Sequence, residues 1–334
     1  MVYCAIQILL WSIVSVLATM IILIIIFFIY IQVTENQVIS EFNEHLNEYC
    51  ASLPPVTYRS AVFIPVENGV YQKTLCSALV DISYATGQSN CSNVVPLPNP
   101  PGFDQQLRVE GKDIFGNQTR MFGYIFWNRS TGWACISFTG TLFLSEWQAD
   151  FQYQQVPPTV INGYQDGVLV HEGFYGIYTS IRDILWTWWN QNRVWVQTLF
   201  ITGHSLGGAL STMCAYDFAD VFKDNNNANN STTGPPEVFK LPIHYSLAAP
   251  RSGNVQYAQL FNRRLPTSIR VNNTEDFIPC LPPSSWQGWT YEHTGGNLPF
   301  TISLGSLGKD HMNSYYYNLP LCAEVAPCYV EETE

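Results

Sequence analysis

The sequence predicts an α/β fold, in which a mainly parallel sheet carries helices on both faces and is preceded by one N-terminal transmembrane helix. Apolar strand-like runs alternate with longer helical segments, a pattern that favours parallel strands joined by helices. The chain also opens with a long apolar run that contains no charged residue. Of its 334 residues, 12% are charged and 14% are aromatic, so the rest of the chain is suited to one domain with a large core.

The uncharged run extends from Ala5 to Ile31. As a helix that rises about 1.5 Å per residue, it is long enough to cross a bilayer with some tilt. A cleaved signal peptide is the alternative, but such peptides usually have a basic start and a shorter apolar core. We therefore predict an uncleaved anchor, residues 1–34, followed by one folded domain, residues 35–334.

Charge and short motifs bear on the compartment. The net charge of −11 lies entirely after the anchor, which argues against a nucleic-acid partner. The first basic residue is Arg59, so the positive-inside rule has little to act on. Sequons and cysteines after the anchor instead predict a glycosylated domain on the non-cytosolic side, in the secretory pathway, at the cell surface or on an enveloped particle. The sequons begin at Asn90, Asn117, Asn128, Asn229, Asn230 and Asn272.

Eight of the nine cysteines follow the anchor. Cys135 lies in an apolar strand-like run and Cys214 in a helical one, so we predict buried thiols at both positions. The other six lie mostly near turns and chain ends and are candidates for disulfides, in pairs that the sequence leaves open: Cys50, Cys76, Cys91, Cys280, Cys322 and Cys328. Their spacing does not resemble a zinc site, and we predict no metal or other cofactor.

The elements of the domain are predicted from their periodicity. Apolar residues at helical spacing predict helices, and short β-branched or aromatic runs bounded by turn residues predict strands. The helices are Leu75–Ala85, a segment within His171–Asn192, and Ser205–Phe222; the strands are Arg108–Ile114, Thr119–Asn128, Gly132–Thr139, Trp195–Ile201, Ile243–Ala248 and Thr267–Val271. Gly116-Asn117 between the first two strands indicates a hairpin.

The segment LFITGHSLGGAL (199–210) contains Gly-x-Ser-x-Gly between a strand and a helix. A sharp strand-to-helix turn forces strained backbone angles on Ser205 and exposes its hydroxyl at the sheet edge. Gly203 and Gly207 lack a Cβ, so the strand and the helix can approach closely. The helix N-terminus supplies N–H groups that favour a developing oxyanion. The pattern predicts a serine nucleophile of the α/β-hydrolase type; a Gly-Ser turn in an unrelated α/β domain is the alternative.

A serine nucleophile needs a histidine base and a carboxylate that orients it, in the chain order Ser, acid, His. Asp276 follows the strand Thr267–Val271 and precedes a Pro-rich loop, so it lies at the carboxyl end of a strand, where this fold builds sites. His244 precedes that acid and breaks the order. His293 and His311 both follow it, and spacing alone does not choose between them.

A series of segments in one order carries a resemblance to a known family. The segments are FTGT (138–141), WQAD (147–150), VHEGF (170–174), GHSLGGA (203–209), APRSGN (249–254) and VNNTED (271–276). Together they resemble the class 3 (fungal-type) triacylglycerol lipases of the α/β-hydrolase superfamily. The resemblance extends from about residue 75 to residue 317, roughly three-quarters of the chain.

The resemblance implies a role for each site residue. Ser205 is the expected nucleophile, Asp276 the acid and His311 the base, since Asp310–Tyr315 resembles the family's Asp/Ala-His-x-x-Tyr segment. The segment around His293 resembles a Tyr-x-His-x-Gly stretch that is not catalytic in the family. The backbone N–H groups of Thr141 and Leu206 are the expected oxyanion donors, and the apolar residues Leu142, Phe143, Leu144 and Trp147 resemble the family's lid.

Two departures from the family are visible. Thr139 stands where the family usually has an arginine, which alters what braces the oxyanion loop. Residues Asn297–Phe300 stand where a Glu-x-Trp segment is common, which bears on local packing rather than on catalysis.

The resemblance implies a serine carboxylic-ester hydrolase that acts on lipid esters, of the triacylglycerol lipase type. Two alternatives remain open. One is a phospholipase A1 or monoacylglycerol lipase with the same triad, since lid and pocket shape decide the substrate. The other is a catalytically inactive lipase-like binding domain. The expected partners are a lipid ester and the membrane that holds the anchor, and the oligomeric state stays open.

Overall fold

A seven-stranded sheet forms the centre of the described structure. The computed structural model describes residues 56, 58, 73–89, 91, 97–112, 119–140, 153–222 and 241–319, all within one unit, Pro55–Glu334. The strands of the sheet are β1 (Gln105–Lys112), β2 (Thr119–Asn128), β3 (Trp133–Phe138), β6 (Thr198–His204), β7 (Ile243–Leu247), β8 (Ile269–Asn273) and β11 (Gly296–Phe300). Two short strand pairs lie outside it: β4 (Gln155–Val156) with β5 (Val170–His171), and β9 (Ser285–Trp286) with β10 (Trp289–Thr290).

The strand order in the sheet is β1-β2-β3-β6-β7-β8-β11. The pairs β1–β2 and β2–β3 are antiparallel, and the four pairs from β3 to β11 are parallel. Phe138 of β3 pairs with Gly203 of β6, which pairs with Ser246 of β7. The carboxyl ends of these strands therefore meet at one edge of the sheet, where open α/β folds bind their ligands.

Helices cover both faces of the sheet, as predicted. They are α1 (Lys73–Gln88), α2 (Glu172–Asn192), α3 (Leu206–Asp217), α4 (Val255–Arg264) and α5 (Lys309–Asn318), of which α5 is wound as a π-helix. Neighbouring residues of β6 supply opposite cores: Ile201 packs in the cluster that contains α2, α3 and α4, and Phe200 packs in the cluster that contains α1 and α5. This alternation is the period of two expected of a strand covered on both faces.

The carboxylate of Asp217 fastens α2 to the end of α3. It is buried and accepts hydrogen bonds from the Tyr178 hydroxyl, the Arg182 guanidinium, the Trp186 indole N–H and the Asn162 backbone N–H. A buried carboxylate is stable only when it is paired and hydrogen-bonded, a condition that these donors meet. The cluster fixes the carboxyl end of α3, the helix that directly follows Ser205.

Several predicted elements are confirmed, with changed boundaries. The hairpin of β1 and β2 and the strands β3, β6, β7 and β8 are present. The helix predicted as Ser205–Phe222 ends at Asp217, and the strand predicted as Trp195–Ile201 begins at Thr198 and continues to His204. The helix α4 and the strand β11 were not predicted. The helix begins at Val255, directly after Asn254, whose side chain accepts a hydrogen bond from the Tyr257 N–H at 2.8 Å. The strand contains Pro299, which is tolerated at a sheet edge.

The cysteine predictions are confirmed at two positions and wrong at a third. Cys135 and Cys214 are buried thiols, as predicted. Cys280, which we expected among the disulfide candidates, is instead an exposed thiol in the turn that follows Asp276. Hydrogen bonds of the neighbouring backbone hold this turn, so it does not depend on a disulfide at Cys280.

The predicted anchor, residues 1–34, lies outside the described residues. Among the residues described, no helix combines the length and the apolarity needed to cross a bilayer.

Candidate active site

Ser205 occupies the turn between β6 and α3. Its backbone angles are φ 62° and ψ −125°, a region that non-glycine residues rarely adopt. The Ser205 N–H donates to the Leu247 carbonyl of the adjacent strand at 2.9 Å, and the Ser205 carbonyl accepts from the Gly208 N–H at 2.8 Å. The turn is therefore a strained strand-to-helix elbow of the kind that presents a nucleophile.

Close backbone contacts explain the glycines of the motif. A Cβ on Gly203 would collide with the Gly207 carbonyl, and a Cβ on Gly207 would collide with the Phe138 carbonyl of β3. The second collision is with backbone, which cannot rotate away as a side chain can. Both positions must therefore lack a side chain for the elbow to close against β3.

Asp276 and His311 meet at the same edge of the sheet. The Asp276 Oδ2 atom lies 2.8 Å from His311 Nδ1, and both side chains are buried. Because an ionised carboxylate only accepts, Nδ1 carries the proton and Nε2 stays available as a base. The other carboxylate oxygen, Oδ1, accepts from the Ile278 N–H at 2.9 Å. The acid and the base predicted from the sequence are thus in contact.

Tyr315 is a third member of this group. Its hydroxyl donates to Asp276 Oδ2 at 2.9 Å and accepts from the Asn273 N–H at 2.8 Å. Burial, and secondly the charge of Asp276, raise the pKa of Tyr315 well above its usual value, so the hydroxyl stays protonated. Three residues separate His311 from Tyr315, where the resembling family segment has two. The π-helical winding of α5 accommodates an additional residue, a feature frequent at functional sites.

His204, the residue before Ser205, contacts His311. Its Nε2 atom lies 2.8 Å from the His311 carbonyl oxygen, and the two imidazole rings are 4.6 Å apart. No direct hydrogen bond joins Ser205 to His311 in the described structure. Catalytic hydrogen bonds are often long before substrate binds, so this separation does not exclude a triad.

The two other candidate histidines have different surroundings. His244 is buried between the Ser211 and Ser268 hydroxyls, at 3.1 and 2.7 Å. Burial, and then the charges of Arg270 and Arg251, lower the pKa of His293 to about 3. Within the described residues neither histidine is bonded to Asp276, so the geometry favours His311 as the base.

Arg251 holds the loop that follows Asp276. Its guanidinium donates to the Cys280 and Pro282 carbonyls, at 2.5 and 2.7 Å, and its backbone N–H donates to the Leu281 carbonyl at 2.7 Å. These contacts fix Cys280, Leu281 and Pro282, at the end of the 3-10 turn Ile278–Cys280 and directly after it. Arg251 therefore holds the loop that follows Asp276 against the connection that leaves β7.

Of the two predicted oxyanion donors, Leu206 lies within the described residues and Thr141 does not. Leu206 is the first residue of α3, so its N–H has no acceptor within the helix. At the end of β3, an added Cβ on Gly140 would lie 2.9 Å from the His204 carbonyl and 3.1 Å from Ser205 Cβ. The chain thus passes directly beside the elbow one residue before Thr141. Thr141 itself and the lid candidates Leu142, Phe143, Leu144 and Trp147 lie outside the described residues.

Metal chemistry has no obvious ligands here. Across the described part of the chain, His, Cys, Asp and Glu side chains do not form a group of three that could hold a metal ion.

Sequence reasoning named Ser205, Leu206, Asp276 and His311 but not the residues that hold them. His204 and Tyr315 lie inside motifs that carry the family resemblance, but the motifs alone predict no role for either residue. Arg251 also lies in one of these motifs. His204 and Arg251 are polar side chains near the end of an apolar strand, which is a local signal. The groups that all three residues bond to are far away in the sequence, so the sequence does not identify them.

Comparisons with known proteins agree with this geometry. Residues 135–286 match the family model described as Lipase (class 3). Phospholipase A1-II 3 of Oryza sativa subsp. japonica is 30% identical over 174 residues, which cover 45% of this chain and 39% of that protein. Secreted mono- and diacylglycerol lipase 1 of Fusarium solani is 25% identical over 215 residues, which cover 64% of this chain and 57% of that protein. The chain therefore spans about two-fifths of the rice relative's length.

Solved structures share the fold. A propeptide complex of Rhizomucor miehei lipase aligns with a TM-score of 0.53 at 19% identity, over 76% of this chain and 82% of that one. The mono- and diacylglycerol lipase of Aspergillus oryzae aligns with a TM-score of 0.50 at 18% identity, over 71% and 82%. At these identities the likeness establishes the α/β-hydrolase fold and nothing finer.

Proposed function

We propose that the protein is a serine hydrolase that cleaves carboxylic esters of lipids, in keeping with the match of residues 135–286 to the family model described as Lipase (class 3). The observation that carries this proposal is the contact of Asp276 Oδ2 with His311 Nδ1 at 2.8 Å, on the sheet edge where Ser205 occupies a strained elbow. An acid, a base and a serine in this chain order are the parts that acyl transfer requires.

In the proposed reaction, Ser205 Oγ attacks the ester carbonyl carbon while His311 Nε2 takes the serine proton. The tetrahedral oxyanion is stabilised by the Leu206 N–H and, by resemblance, by the Thr141 N–H; one such donor contributes about 2.7–4 kcal/mol to transition-state stabilisation. Collapse breaks the ester bond, and His311 gives its proton to the departing alcohol. Water then attacks the acyl-serine by the same sequence, releases the fatty acid and restores the free serine.

The rest of the site supports these roles. Asp276 receives hydrogen bonds from His311, Tyr315 and the Ile278 N–H, so the imidazole is held in one orientation and one tautomer. An imidazolium that forms beside this carboxylate is stabilised by it. The catalytic roles of Ser205, Asp276 and His311 remain part of the proposal.

A phospholipase A1 or a mono- and diacylglycerol lipase is the leading alternative for the substrate. Relatives with those names match this chain. The choice depends on the lid and the acyl groove. The proposal therefore commits to lipid esters and leaves the head group to experiment.

The test is ester hydrolysis by the full chain, purified in detergent. We expect release of p-nitrophenol from esters of short and long acyl chains, and we expect Ser205→Ala to lower kcat by a factor on the order of 10⁶. Ser180→Ala, on α2 and bonded to Lys112, is the matched control and retains wild-type rates. An inactive wild-type protein with an intact fold would favour the lipase-like binding domain instead.

The head group is resolved by competing substrates. Phosphatidylcholine with two different acyl chains is compared with diacylglycerol and monoacylglycerol in the same detergent. Release of the sn-1 chain of the phospholipid identifies a phospholipase A1, whereas preference for the neutral glycerides identifies a glyceride lipase.

The proposal includes a single-pass anchor, residues 1–34, with the catalytic domain on the non-cytosolic side. Its supports are the uncharged run Ala5 to Ile31, the six sequons and the eight cysteines that follow the run. Protease protection of intact membranes, together with removal of N-glycans, tests it. A protein that is digested from the cytosolic side and carries no glycan would contradict it.

A further inference from the structure

His204 joins the strand that carries the nucleophile to the helix that carries the base. We propose that His204 is a positioning residue, which sets the location of His311 relative to Ser205. This inference rests on the proposed function, because it assigns a role within the same site. It concerns the side chain next to the nucleophile, which takes no part in the proton transfers described above.

The geometry carries the proposal. His204 Nε2 lies 2.8 Å from the His311 carbonyl oxygen. A carbonyl only accepts, so Nε2 bears the proton and donates. The ring also packs against its surroundings, 4.6 Å from the His311 ring and 5.3 Å, edge to face, from the Tyr315 ring. His204 is thus fixed by one directional bond and two ring contacts.

The position of this bond in the network is distinctive. His311 is bonded to Asp276, and Asp276 is bonded to Tyr315. Tyr315 in turn accepts from the Asn273 N–H of β8. None of these contacts connects the base to the nucleophile. Among the hydrogen bonds of the described residues, the one from His204 links the β6 elbow to α5. Since His204 is covalently next to Ser205, this bond determines how far the base lies from the serine.

The charge state of His204 suits the role. Burial, and then the neighbouring His311, lower the pKa of His204 to about 3, so the ring is neutral at physiological pH. During acyl transfer His311 becomes an imidazolium. A second cation in contact with it would oppose that step, whereas a neutral ring donating to the backbone does not.

The experiment compares two substitutions that separate the bond from the ring. His204→Phe keeps an aromatic ring against His311 and Tyr315 but removes the donor. His204→Gln keeps a donor of similar reach but removes the ring. We expect His204→Phe to lower kcat by about 10- to 100-fold with KM within about twofold, because misplaced catalytic groups lose this much rate. We expect His204→Gln to retain kcat within about fivefold.

A second readout does not depend on the lipid substrate. The rate at which a fluorophosphonate labels Ser205 reports activation of the serine, and it should fall in parallel with kcat in His204→Phe. Ser205→Ala gives the unlabelled baseline. His244→Gln is the matched control: it alters a buried, hydrogen-bonded histidine of the adjacent strand, away from the triad, and should retain kcat and labelling within about twofold even where the melting temperature falls. If His204→Phe does not fold, His204→Asn, whose amide is too short to reach the carbonyl, takes its place.

The outcomes separate the inference from the function. An active wild-type protein whose His204→Phe variant keeps kcat and labelling within about threefold would overturn the positioning role. So would equal losses in the Phe and Gln variants, since the ring rather than the bond would then matter. A wild-type protein that neither hydrolyses esters nor labels at Ser205 would remove the proposed function, and this inference with it.

Discussion

The two sides of the site are built by different physical means. On the nucleophile side, Gly203, Ser205 and Gly207 lie within five residues, and their arrangement follows from the close approach of backbone to backbone. On the acid–base side, Asp276 and His311 are 35 residues apart and are brought together by hydrogen bonds between side chains. Steric exclusion thus fixes the nucleophile side, and hydrogen bonds between side chains fix the acid–base side.

This difference predicts different kinds of failure. An added side chain at the elbow must displace the backbone of β3 and α3, so it should affect folding as well as activity. A removed hydrogen bond beside Asp276 leaves the backbone in place, so it should affect turnover more than folding. Substitutions on each side test whether the two sides separate in this way.

After removal of the nucleophile itself, the largest effect is expected from Asp276→Asn. An amide in place of the carboxylate favours the wrong tautomer of His311 and cannot stabilise the imidazolium, so kcat should fall by about 10⁴-fold while the fold persists. Steady-state kinetics and circular dichroism measure both quantities. Glu275→Gln, which changes the exposed neighbouring carboxylate, is the control and should leave kcat unchanged. Equal losses in both variants would mean that Asp276 does not orient the base.

The elbow should respond through stability. In Gly207→Ala the new Cβ meets the Phe138 and Thr139 backbone, so we expect the free energy of unfolding to fall by about 3 kcal/mol, with activity lost in step. Gly176→Ala is the matched control, since an added Cβ meets nothing within 4 Å on the exposed face of α2. That substitution should stabilise the protein by about 0.5–1 kcal/mol. Denaturant titration that ranks the two variants in the opposite order would refute this account of the motif.

The contrast also explains which parts were predictable from sequence. The strand β2 was predicted with its observed bounds because its apolar residues and the turn before it are local signals. The elbow was predicted because the Gly-x-Ser-x-Gly pattern between a strand and a helix is local, as is the collision that excludes a side chain at Gly203, although the collision at Gly207 is with the distant strand β3. The choice of His311 over His293 needed the family resemblance, because periodicity carries no information about which loop reaches Asp276.

The supporting residues could not be predicted in the same way. His204 meets the His311 carbonyl across 107 positions of sequence, and Arg251 meets the Pro282 carbonyl across 31. Such contacts exist only after the sheet has assembled. The helix α4 is a different case: it was missed although its signals are local, namely the Asn254 cap and buried residues at helical spacing within a short segment.

A smaller effect is expected from Tyr315→Phe. The variant removes a donor from Asp276 and leaves the buried Asn273 N–H without its acceptor, so we expect a loss of about 1–2 kcal/mol in stability and about tenfold in kcat. Tyr257→Phe is the matched control, because the Tyr257 hydroxyl is buried and has no hydrogen-bond partner among the described residues. Its removal should be neutral or slightly stabilising. If both variants lose kcat equally, the bond to Asp276 does not explain the effect of Tyr315.

The smallest effect on kcat is expected at His244, which lies in the sheet that supports the site, and the effect there is on the pH dependence of stability. Burial lowers the pKa of His244 to about 3, whereas an unfolded histidine titrates near 6.5. Between these values the unfolded chain binds the extra proton, so the stability that this neutral histidine contributes is present above about pH 6.5 and is lost as the pH falls toward 3. The slope from one such group is at most about 1.4 kcal/mol per pH unit. His244→Gln should therefore flatten the fall in unfolding free energy between pH 6 and about pH 4 while retaining kcat near neutral pH, as measured by denaturant titrations at each pH. Parallel curves for the variant and the wild type would mean that His244 is protonated in the folded state, and that the sheet next to the elbow tolerates a charge that its buried surroundings should exclude.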